Sequence, residues 1–130
     1  MLDKFEIPYE ITVASAHRAP ARVTEFCRRA EDGGTKVIIA AAGHAAHLAG
    51  VVAAQTTLPV IGLPIPSSDL RGFDSLLAMV QMPGGVPVAV MALGRAGAKN
   101  SAIFAAQILA TSDPSLRTKL TEYKASLAAG

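Results

Sequence analysis

Three observations predict an α/β fold built on a parallel sheet. Strand-like and helix-like patterns alternate along all 130 residues, 51% of the chain is hydrophobic against 17% charged, and no apolar run reaches membrane-spanning length. Helices on both faces of such a sheet bury it, so its strands read as near-continuous apolar runs. One domain, residues 1–130, is expected, because a chain of this size buries about two-thirds of its unfolded surface.

The first strand falls at 10–14, where Glu10-Ile11-Thr12-Val13-Ala14 alternates and carries β-branched residues. A helix over about 19–32 follows, opened by Pro20 in its first turn and closed by Gly33-Gly34. Its Glu25, Arg28, Arg29, Glu31 and Asp32 form a solvated face. A strand at 36–42 leads to a helix at about 45–55, a strand at 59–63, a helix at about 72–80 and a strand at 86–93. A helix at about 97–110 stops at Thr111-Ser112, and Asp113-Pro114 supplies an N-cap and a first-turn proline for a terminal helix over 114–128. Abundant alanine in the helices permits close backbone packing, and no linker, repeat or low-complexity segment interrupts the order.

Composition narrows the function classes. A net charge of +2 without a dense Lys/Arg cluster, and 5% aromatic residues, argue against a nucleic-acid partner. Cys27 is the single cysteine, so no intrachain disulfide and no paired-cysteine metal motif can form, and a cytoplasmic location is expected. Met1-Leu2-Asp3-Lys4-Phe5 lacks the regions of a secretory signal. The apolar content is high for a small monomer and points to burial between subunits.

Chemistry concentrates in short motifs. Ser15-Ala16-His17-Arg18 lies on a strand-to-helix loop, in the crevice beyond the carboxyl ends of the strands where open α/β sheets bind ligands. An imidazole serves as acid and base near neutrality, and a guanidinium holds phosphate. Taken alone, His17 fits a hydrogen-bonded structural histidine better than a catalyst. Ala40-Ala41-Ala42-Gly43-His44-Ala45-Ala46-His47-Leu48-Ala49-Gly50 leaves the strongest strand through small residues that let a ligand approach the backbone or, equally, let helix pack on sheet. His44 and His47, three apart, are expected to share a helix face, and with no carboxylate or cysteine at ligand spacing a metal site is disfavoured. Ser67, Ser68 and Asp69 read as caps for the next helix rather than as catalysts, and no Gly-x-Ser-x-Gly elbow marks a hydrolase. Gly94-Arg95-Ala96-Gly97-Ala98-Lys99-Asn100 has the look of a phosphate loop without the full nucleotide-binding pattern.

In this order and spacing, Ser15-Ala16-His17-Arg18, Ala45-Ala46-His47-Leu48, Asp74-Ser75-Leu76, Gln81-Met82-Pro83-Gly84-Gly85-Val86-Pro87 and Gly97-Ala98-Lys99-Asn100 resemble the PurE family, class I 5-(carboxyamino)imidazole ribonucleotide mutases of purine biosynthesis. The resemblance covers nearly the whole chain. It implies a flavodoxin-like three-layer α/β/α sandwich and a homo-octamer. It also implies a shift of a carboxylate from the exocyclic nitrogen of an aminoimidazole ribonucleotide to ring carbon 4, with no cofactor and no metal. His17 matches the family's proton-shuttling histidine and Arg18 its phosphate-binding arginine. Ser15 and Ala16 line the same loop, while Ala42, Gly43, His44, Ala45, His47 and Leu48 belong to the segment folded over the imidazole and carboxylate. Small residues there confine carbon dioxide and exclude water.

Two departures stand out. His44 and Ala49 occupy positions where the family usually has glycine and proline, which implies a reshaped loop or an added proton donor. Family members also begin with a strand, a Gly-Ser-x-Ser-Asp phosphate loop and a helix, and this chain starts near the end of that helix. In the family's 2-1-3-4-5 order that strand lies between the strands at 10–14 and 36–42, so an unpaired slot is expected there. A truncated gene model or a fragment is favoured over a variant whose slot another chain fills, and little mutase activity is expected of a chain complete as written. The alternatives are a carboxylase using carbon dioxide directly, disfavoured by Ala45-Ala46-His47-Leu48, and an inactive assembly subunit of a PurE oligomer.

Overall fold

In the computed structural model, which describes residues 1–130, the sheet is parallel and three-stranded in the order β1-β2-β3. Its strands are β1 (Ile38–Gly43), β2 (Val60–Ile65) and β3 (Ala89–Val90). The helices are α1 (Pro20–Asp32), α2 (Leu48–Ala53), α3 (Phe73–Val80), α4 (Gly94–Leu109) and α5 (Pro114–Ala128), preceded by a 3-10 turn at Asp3–Phe5. No helix is long and apolar enough to cross a membrane.

Alternation along β2 builds the sandwich. A side chain on Gly62 would run into Val88 and Met79 and meet Ala49 on the α2 and α3 side, whereas Leu63 on the opposite face reaches Gly97 of α4. Val23, Cys27 and Ala30 form one stripe of α1 and pack with Ile38, Ala40, Ala46, Ala49, Val52, Val60 and Met79 into one core. A second cluster joins Phe5 to Ala106 of α4, to Ala110 just past its end and to Leu116, Leu120 and Tyr123 of α5, with Phe5 edge-on to Tyr123 at 5.5 Å. Gly97 is obligatory here, because a Cβ would lie 1.5 Å from the Ala92 carbonyl oxygen.

Four expectations need correction. Residues 10–14 form no strand: the ladder has no partner beside them, and Ile11 and Val13 stand 79% and 81% exposed. The strand expected at 86–93 is confined to Ala89–Val90, because it is an edge strand that Pro87, lacking an N–H, helps to keep short. The helix expected from residue 45 opens only at Leu48, after two tight turns in which Ala46 donates to the His44 carbonyl and His47 to that of Ala45, both at 2.8 Å. Finally, Gly94 to Asn100 is the first half of α4 and not a loop.

Candidate functional site

The candidate site lies at the carboxyl ends of β1 and β2, where three loops meet. The first, Ser15 to Ala19, is closed by its own side chain: Ser15 Oγ accepts from the Arg18 amide at 3.2 Å and its carbonyl from the Ala19 amide at 2.9 Å. His17 is thereby presented on an exposed turn, and Arg18 is exposed without an ion-pair partner. Ala16 is half-buried in the same turn.

The second loop carries the histidines. His17 Nε2 and His47 Nδ1 lie 2.9 Å apart, with the rings nearly perpendicular and their centres 5.0 Å apart. One nitrogen must donate and the other accept, so the contact ties the tautomer of one ring to that of the other. It joins two motifs separated by 30 residues. Leu48 begins α2 and packs against the first core, which anchors His47 at its back, and Ala45 stays exposed beside it.

His44 and His47 do not share a helix face. They precede α2, and the double turn sends His47 to His17 while His44 turns to the third loop, where its Nδ1 lies 2.8 Å from Ser67 Oγ. Ala42 and Gly43 end β1 in register with Pro64 and Ile65. A Cβ on Gly43 would fall 1.9 Å from Ser67 Oγ, so only glycine lets the serine sit this close.

Ser67, Ser68 and Asp69 do not cap α3, which opens from Gly72 without a side-chain cap. Ser68 Oγ instead donates to Asp74 Oδ1 at 2.8 Å and accepts from the Leu70 amide, and Ser75 Oγ donates to the Gly72 and Ile65 carbonyls. The Ser68 hydroxyl holds the Asp74 carboxyl below its ordinary range, with the Ser75 amide and the neighbouring His44 acting in the same direction. The sequence signalled Ser67 and Ser68 only as caps for the next helix. The contact of Ser67 with His44 depends on the pairing of Gly43 with Ile65, which no local pattern encodes.

The AIR carboxylase family matches residues 1–129 of this chain. The N5-carboxyaminoimidazole ribonucleotide mutase of Bacillus subtilis is 56% identical over 122 residues, covering 94% of this chain and 75% of that protein. The protein of the same name from Thermotoga maritima is 54% identical over 124 residues, covering 95% and 71%. Among solved structures, Treponema denticola PurE superposes with a TM-score of 0.89 at 29% identity, over 98% of this chain and 78% of that one.

Proposed function

The chain belongs to the AIR carboxylase family, and from that premise we propose that its site converts N5-carboxyaminoimidazole ribonucleotide to 4-carboxy-5-aminoimidazole ribonucleotide in purine biosynthesis. The relatives at 56% and 54% identity carry the name of that mutase. The observation that carries the reading is the 2.9 Å contact between His17 and His47, which unites the two histidine motifs in the crevice beyond β1.

In this proposal the exocyclic N–C bond breaks, releasing carbon dioxide, and the nitrogen takes a proton from His17. Ring carbon 4 then attacks the carbon dioxide, and His17 recovers a proton from that carbon, so the reaction is a net isomerisation. His47 holds the His17 ring through their shared hydrogen bond. Arg18, exposed and without an ion-pair partner, takes the phosphate as a bidentate donor. Ser15 and Ala16 shape the turn, while Ala42, Gly43, His44, Ala45 and Leu48 border the carboxylate.

The exposed stripe of Phe73, Leu77 and Val80 on α3 supports a homo-oligomer, for which the octamer is our reading. The lone, buried Cys27 is consistent with a cytoplasmic home.

The test is turnover of the mutase substrate by the purified protein beside His17→Asn. We expect a loss of about 100-fold or more in the variant, no dependence on added bicarbonate, and an unchanged circular dichroism spectrum. Equal turnover in the two proteins would remove His17 from the chemistry, and bicarbonate-dependent product would indicate a carboxylase.

A further inference from the structure

The geometry points to His44 as a positioning residue of this site: its imidazole latches the β1–α2 loop to the β2–α3 loop through Ser67. The inference rests on the mutase reading and gives one of the residues bordering the site a positioning role. His44 has φ +52°, a left-handed backbone that a histidine adopts at a cost and a glycine would adopt freely. Of the three non-glycine residues with positive φ, two, His44 and Arg71, lie on the two loops that meet here. Strained backbone persists where surrounding contacts hold it, and the contact at His44 is the 2.8 Å hydrogen bond to Ser67 Oγ.

The latch has two arms. Toward β2, Ser67 lies so close to Gly43 that no Cβ fits between them, and Ser68 next to it is bound to Asp74 of α3. Toward α2, the turns donated by Ala46 and His47 leave little slack between His44 and His47, which meets His17. Moving His44 therefore moves the histidine pair. The Ser67 hydroxyl can donate to or accept from the imidazole.

Three variants of the full chain test the latch: His44→Gly, His44→Asn and Ser67→Ala. Amide hydrogen exchange over residues 66–72 is measured in each, together with KM and kcat for the mutase substrate. His44→Gly relieves the backbone, so its Tm holds or rises, yet exchange and KM should each increase about tenfold, the equivalent of one lost hydrogen bond. With kcat held within about twofold, Ser67→Ala should reproduce the change. His44→Asn should restore parental values, since asparagine tolerates the left-handed region and can bond to Ser67. Unchanged exchange in His44→Gly overturns the latch. So does a fall in kcat at constant KM, which would make His44 a proton donor. If the parent protein turns nothing over, the mutase reading fails by itself, and the exchange result still decides the latch.

Discussion

Residues 10–14 and β2 both read as strands in the sequence and meet opposite fates. Val60–Ile65 pairs along six positions with β1 and along two with β3, and Ile61 is wholly buried. Glu10 to Ala14 joins no ladder, and Ile11 and Val13 stand in solvent. β-branched alternation thus specifies an extended backbone and a preferred face, whereas the ladder itself needs a neighbouring edge. A strand is half a property of its own sequence.

The sharpest way to break the comparison is to truncate one apolar side chain in each region. Ile61→Ala should destabilise the protein by about 2–5 kcal/mol, whereas Ile11→Ala should stay within about 0.5 kcal/mol, both read from denaturant midpoints at constant m-value. A cost at Ile11 approaching that at Ile61 would mean that the exposed segment is covered in solution.

A smaller effect is expected where the paired region meets the site. Gly43→Ala drives a methyl into Ser67 and toward the Ile65 carbonyl, 3.0 Å from the new Cβ, and should cost about 1–3 kcal/mol. The corresponding change at exposed Gly34, where a Cβ meets nothing but φ is +77°, isolates backbone strain from collision. Gly43 is not in the left-handed region, so a Gly43→Ala variant as stable as the parent would show that Ser67 moves aside at no cost.

Smallest of all is a pH effect at the far end of the paired region. The Thr56 hydroxyl, followed by the Thr57 amide, lowers the Glu31 carboxyl from its ordinary value of 4.5. Because the folded value is the depressed one, this contribution to stability is complete above pH 4.5 and is lost as the pH falls through the folded value. Glu31→Gln should flatten the stability profile in that acid window and leave neutral pH nearly unchanged.

What was legible in the sequence follows from how local each signal is. α1 and α5 fall within a residue of expectation because Pro20, Gly33 and Pro114 act on their own turns, and Asp113 caps α5 by accepting from the Leu116 amide at 3.0 Å. The parallel α/β class was legible from alternation alone. The start of α2 was not, because the left-handed His44 and the turns after it delay the helix until Leu48. In the candidate site, the loops bearing His17 and His47 were readable, but their contact spans 30 residues and arises only when the sheet is assembled. Ser67 was assigned a capping role for the same reason, since its partner is set by strand register.

The cluster that joins Phe5 to Tyr123 has a kinetic consequence. Its bonds include the ion pair of Glu6 with Lys119, 113 positions apart along the chain, and closing so long a loop is entropically unfavourable until much of the rest has formed. The β1–α2–β2 unit needs only short excursions. We expect the amino-terminal turn to dock last in refolding and detach first in unfolding, so Phe5→Leu should speed unfolding while leaving the refolding rate nearly unchanged. A matching slowdown in refolding would place this far end in the nucleus.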